Sequence, residues 1–254
     1  MIQIFCKNTG TTKSFQEGTS LVEMLNEFQF KRPYPIISAK VNNVSQGLKF
    51  RAFNNKDVEF LDLKSPSAMR VYCRSLCFLL AKASYDVFPG CRIYMEHSIA
   101  NGYYCNLKKA DHSAVSKRDI ALIRKRMREI VSKDMPFHSY EMQTDEAIRT
   151  FGDRGYDDKV KLLETSGQPY TDYYMLGDTV DYYYGRLVPS AGYLTVWGLE
   201  KYHQGMLLRV PDADAPEKLA EFRDQPKTFK VFTENLRWNI IMGLNTVGDV
   251  NHAC

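Results

Sequence analysis

Ile2-Gln3-Ile4-Phe5-Cys6, followed by Asn8-Thr9-Gly10 and then Thr12-Lys13-Ser14-Phe15, decides how this chain begins to fold. Apolar and polar residues alternate through the first segment as a half-buried strand requires. The Asn-Thr-Gly cluster supplies a turn, and Thr12–Phe15 returns as the second strand of a hairpin. Thr19 or Ser20 is placed to cap a helix whose Leu21, Met24, Leu25 and Phe28 share one apolar face. Pro33 and Pro35 end it. Ile36–Val41 then reads as a strand, Asn42-Asn43 as a turn, and Val58–Leu63 as a last strand. Residues 1–63 are expected to form one mixed α+β unit.

A second unit is expected over residues 64–211. Ser65 or Ser67 can cap a helix over Ala68–Ser84, which breaks before Pro89-Gly90. Arg92–Tyr104 suggests a hairpin turning at Asn101-Gly102. Ser116 opens a long helix through Asp134, stopped by Pro136, and two short helices follow over Asp145–Gly152 and Asp158–Glu164. Tyrosine-rich strands are expected from Tyr173 to Val188, with another from Tyr193 to Leu199. Residues 212–254 read as a polar connector, Asp212-Ala213-Asp214-Ala215-Pro216, leading to a helix-like pattern at Leu236, Ile240, Ile241 and Leu244.

With 254 residues, 44% of them apolar and 25% charged, the chain has the make-up of an ordinary globular protein with room for two compact units. Its net charge of +4 is too small to establish nucleic-acid binding on its own. No apolar run approaches the ~20 residues that span a bilayer, and the first residues lack a signal-peptide pattern. A cytoplasmic protein without a membrane partner is expected. Six scattered cysteines then read as free thiols. Cys73 and Cys77, four positions apart, share a helix face, but His97 or Cys105 could complete a site only by tertiary accident, and no metal is expected.

Two resemblances organise these readings. Ala39-Lys40-Val41-Asn42-Asn43, followed by Asp57-Val58-Glu59-Phe60-Leu61, sits in a hairpin–helix–strand order that resembles the β-grasp (ubiquitin-like) TGS domain. That domain begins threonyl-tRNA synthetases and some regulatory GTPases. Asn101-Gly102-Tyr103-Tyr104, Lys125–Ile130, Lys133–Phe137 and Phe151–Glu164 resemble, in order, the α+β editing domain of the same synthetases. So do Asp181, Gly185, Val188-Pro189-Ser190 and Gly192. The third stretch, 212–254, placed after such units, resembles the linker of bacterial uridine or nucleoside kinases. On that resemblance a P-loop kinase domain, with its ATP and Mg, would follow Cys254 as this chain's partner. Within the chain itself no cofactor is expected, and Gly10-Thr11-Thr12-Lys13-Ser14 does not meet the P-loop spacing.

The editing resemblance also implies where chemistry should lie. The family carries His-x-x-x-His on its first helix and a Cys and a further His in its closing segment. Here those positions read Arg74, Phe78, Tyr183 and Leu187, and only Asp181 keeps its family identity. Arginine cannot act as a base at neutral pH, phenylalanine and leucine do not titrate, and a phenol loses its proton near ~10. No catalytic residue is therefore expected. Arg74, Tyr182, Tyr183, Tyr184 and Arg186 bring aromatic rings and positive charge to the same stretches, a composition that can clamp a nucleotide or an RNA end. Alternating tyrosines are also ordinary strand residues. The leading expectation is a non-catalytic ligand-sensing or scaffolding half of a nucleoside kinase. The alternatives are an aminoacyl-tRNA deacylase with a rearranged site and a free-standing RNA-binding module contacting tRNA.

Overall fold

A computed structural model of the protein describes residues 1–244 and 246–253, with side chains as far as Asn251. Cys254 lies outside the described residues. Packing divides the chain into two units, Met1–Phe137 with Tyr184–Phe222, and His138–Tyr183 with Arg223–Cys254.

The first unit opens with β1 (Ile2–Cys6), β2 (Thr11–Phe15), β3 (Thr19–Ser20) and α1 (Leu21–Phe28). There follow β4 (Ile36–Val41), β5 (Val44–Gly47), β6 (Arg51–Ala52) and β7 (Lys56–Asp62). The sheet runs β2-β1-β7-β4-β5, with β1 and β7 parallel. Of the two candidate caps, Ser20 is used: its side chain accepts from the Glu23 amide and Glu23 reaches back to the Ser20 amide. The helix stops at Phe28 because Gln29 turns left-handed, before either proline is reached. Leu21, Met24 and Phe28 pack with Ile4, Val58 and Phe60. Asn42 and Asn43, both at positive φ, close a tight hairpin into β5, a strand too polar to announce itself in the sequence.

Next come α2 (Pro66–Val87), β8 (Arg92–Ile99), β9 (Gly102–Lys108) and α3 (Lys117–Ser132). The chain then builds β10 (Phe137–Gln143), α4 (Thr144–Asp153), α5 (Asp157–Glu164), β11 (Tyr170–Leu176) and β12 (Thr179–Asp181). It returns with β13 (Gly198–Tyr202) and β14 (Gly205–Arg209), and ends with α6 (Pro226–Met242) and α7 (Val247–Ala253). In the first unit β13-β14-β9-β8 form an antiparallel sheet. Helix α2, with 14 of its 22 residues buried, packs on α3 and on β4.

Three local expectations shift. The β8–β9 turn is Ala100-Asn101, both at positive φ, rather than Asn101-Gly102. Gly102 already belongs to β9, where a Cβ would stand 2.5 Å from the Leu208 carbonyl oxygen of β14, so the glycine serves a close strand approach. The tyrosine-rich strands end at Asp181, and residues 182–188 are irregular, with Gly185 at φ +110. The expected strand at Tyr193–Leu199 is instead a short 3-10 turn, Ala191–Tyr193, before β13, and β14 was hidden because Met206-Leu207-Leu208 is a continuous apolar run without alternation.

In the second unit β10-β11-β12 form a small sheet. Ala147, Phe151, Leu163 and Val180 make its core. Helix α7 docks on α5, where Lys161 Nζ lies 2.6 Å from an Asp249 carboxylate oxygen. None of the residues of α6 is buried.

Candidate functional site

In the first unit the relevant wall is α2 against the irregular segment 184–196. Tyr72, Ser75 and Arg74 fasten the segment through its backbone. The buried Ser75 hydroxyl donates to the Val71 carbonyl (2.8 Å) and accepts from the Val188 amide (2.9 Å). The Tyr72 hydroxyl accepts from the Val196 amide at 2.8 Å and lies 3.2 Å from its carbonyl oxygen. Burial pushes the Tyr72 phenol up to about 12. The Arg74 guanidinium donates to the Arg186 carbonyl (2.6 Å) and lies over the bare α-carbon of Gly185, where a Cβ would meet it at 3.0 Å. Arg74 thus serves as a strut for the segment, with part of its donor capacity consumed by backbone.

The other two substituted positions of this unit are core. Phe78 is fully buried, its ring centroid 5.7 Å from that of Phe137, and Leu187 is buried as well. Neither offers a group that could take a proton or hold a metal. The thiols on this helix are equally unsuited to attack. Burial raises Cys73 to about 11, which leaves it protonated and a poor nucleophile at neutral pH. Tyr184 is 85% exposed and Arg186 half-buried.

The second unit holds Asp181, Tyr182 and Tyr183. Asp181 is buried at the end of β12, accepts a hydrogen bond from the Tyr182 amide (2.7 Å) and pairs with Lys159 Nζ of α5 at 3.3 Å. Burial is the largest influence and works to lower the Lys159 pKa, but the charges of Asp181 and Asp158 and the hydrogen bond to Asp181 together outweigh it, and the ammonium is held above its ordinary range. The Asp181 carboxylate therefore sits in an ion pair with Lys159. Tyr182 packs against the unit's core, Tyr174 is buried, and Tyr173 stacks on Tyr140 with centroids 5.4 Å apart. The named tyrosines thus divide between core and surface.

Sequence reasoning overlooked Lys159, Ser75 and Tyr72. A buried lone carboxylate calls for a counter-charge, and Lys159 stood within the Phe151–Glu164 pattern. Ser75 and Tyr72 left no sequence signal, since the segment whose backbone they hold lies more than a hundred residues away. Cys6, Cys73, Cys77, Cys91 and Cys105 are buried free thiols. Among the described residues no group of three or more His, Cys, Asp or Glu side chains is placed to hold a metal ion. No helix among them is long and apolar enough to cross a membrane.

No family model matches the chain. It is similar to curated threonine–tRNA ligases. The protein of Marinobacter nauticus is 27% identical over 193 residues, covering 76% of this chain and 30% of the relative. That of Syntrophotalea carbinolica is 30% identical over 200 residues, covering 78% and 31%. That of Fusobacterium nucleatum is 28% identical over 166 residues, covering 64% and 26%. The chain therefore spans about a third or less of the length of these relatives. They bear on the synthetase resemblance and lend nothing to the nucleoside-kinase one.

Proposed function

We propose that this chain is a synthetase-editing-type module that binds tRNA without hydrolysing its aminoacyl ester. The observation that carries the reading is the fate of the first helix positions. Arg74 is tied to the Gly185-Arg186 backbone and Phe78 lies in the core, where the resemblance puts activating imidazoles. The similarity to threonine–tRNA ligases supports tRNA as the ligand class. Arg74, Tyr184 and Arg186 are the proposed contact residues of the first unit, with the exposed Tyr184 as a stacking surface, and Tyr182 and Tyr183 are proposed by themselves on the second unit. A cytoplasmic location belongs to the same proposal. So does a modular reading of the sequence as a TGS segment 1–63, an editing-like segment 64–211 and a linker 212–254. A nucleoside-kinase partner bringing ATP and Mg is the less supported context, because the relatives are tRNA ligases.

Fluorescence anisotropy with labelled threonine tRNA tests the reading. The parent chain should bind, and Tyr184→Ala should weaken binding by about tenfold, as loss of one base–aromatic stack of ~1–3 kcal/mol requires. A parent chain that binds no tRNA contradicts the proposal. One observation favours a second reading, a deacylase with rearranged chemistry: the buried Asp181 and Lys159 keep acid and base groups 3.3 Å apart. Release of amino acid from mischarged threonine tRNA, abolished by Asp181→Asn, would establish it.

A further inference from the structure

The strongest unassigned surface lies in the first unit, on the flank of α3 that faces the edge strand β13. A cleft of about 250 Å³ there is lined by Lys117, Ile120, Arg124, Glu200 and Lys201. At about 100° per residue, Lys117, Arg124 and Arg128 fall on one stripe of the helix, beside the buried row Ile120, Ile123, Met127 and Ile130. They span about 16 Å at ~1.5 Å of rise per residue. The opposite flank carries the acids, and each of these is already engaged: Asp119 with Lys109 at 3.0 Å, Glu129 with Arg126 at 3.0 Å. In the cleft itself Glu200 is taken by Arg209 at 3.0 Å.

The cations of the stripe are not engaged in this way. Lys117, Arg124 and Arg128 make no ion pair among the described residues, and Arg124 is aimed by donating to the Leu199 carbonyl of β13 (3.1 Å from Nε). Lys201 is half-buried at the cleft wall, its Nζ 3.3 Å from the Gly205 carbonyl, and burial lowers its pKa. Fold economy does not account for the pattern. Lys117 and Arg118 occupy the first turn of a helix, where the dipole disfavours positive charge. The acid of that turn, Asp119, belongs to the capping box and pairs with Lys109 rather than with Lys117 or Arg118.

We infer that the α3–β13 cleft and the α3 stripe that continues beyond it bind the phosphodiester backbone of RNA, with Lys117, Arg124 and Lys201 in the cleft and Arg128 beyond it as the phosphate contacts. This rests on the tRNA-binding reading and places a second, sequence-independent contact in that unit, distinct from the residues assigned to the RNA end. A row of cations along a helix suits a linear array of phosphates better than a single small anion.

The test is the salt dependence of binding of unacylated threonine tRNA to the full chain. It compares the parent, Lys117→Gln/Arg128→Gln, and a control of equal charge, Lys64→Gln/Lys218→Gln. Arg124 is left intact because it ties α3 to β13, and Lys117→Gln alone is the fallback if the double variant does not fold. The cleft variant should bind about tenfold more weakly, and its slope of log affinity against log salt should be shallower by about 1.5. The control should keep the parent's slope to within half that change. If the parent binds and the cleft variant matches it, the cleft assignment falls while the tRNA-binding reading stands. A parent that binds no tRNA removes both. Competition by a polyglutamate peptide as effective as that by tRNA overturns the assignment to RNA.

Discussion

The wall formed by α2 and segment 184–196 in the first unit and the Asp181–Lys159 pair in the second unit have met different fates. In the wall, positions that the synthetase resemblance assigns to polar groups have been absorbed into packing. Phe78 and Leu187 are core, and Arg74 is a strut across Gly185. Around Asp181 the contact is an ion pair, and a buried carboxylate with an ammonium at 3.3 Å cannot lose one partner without stranding the other. An apolar side chain in such a wall is held by packing alone, whereas a buried ion pair makes each single substitution costly through the partner left behind.

The largest expected effect breaks the first half of that contrast. Phe78→Ala should destabilise the chain by about 3–5 kcal/mol, read from urea unfolding, as removal of a fully buried aromatic does. A loss near zero would mean that position 78 is not core. Ser75→Ala should cost about 1–3 kcal/mol, because the buried Val188 amide would lose its acceptor. Asp181→Asn should cost about 1–2 kcal/mol by leaving Lys159 without its counter-charge, and Lys159→Met in the same background should recover part of it. Recovery in that double variant would show the pair to be structural in weight.

The smallest effect concerns α7 of the second unit. Asp249 is lowered to about 2, chiefly by its hydrogen bond from Lys161, from an ordinary value of 3.8. Its folded pKa is depressed, so its contribution is present above pH 3.8 and is lost as pH falls toward 2. Hydrogen exchange of α7 should therefore quicken over that window in the parent, while Asp249→Asn should show fast exchange already at neutral pH.

Much of this fold was legible in local signals. Ser20 with Glu23 and Ser116 with Asp119 mark helix starts by capping chemistry that involves neighbours only three residues away. That Arg74, Phe78 and Leu187 cannot act as bases at neutral pH likewise follows from residue type alone. What stayed hidden depended on partners distant in sequence. The role of Gly102 follows from Leu208, that of Ser75 from Val188, and the strut from Arg74 meeting Gly185. β14 lacked alternation because its Met206, Leu207 and Leu208 are all buried.

The central claim is that tRNA is held here without its ester being cut. The most direct measurement is single-turnover release of serine from mischarged threonine tRNA, with the chain in excess at a concentration shown to saturate binding. The account predicts a bound complex and a release rate equal to that of the tRNA alone. Release faster than that background, from a saturated complex and lost in Asp181→Asn, would contradict it.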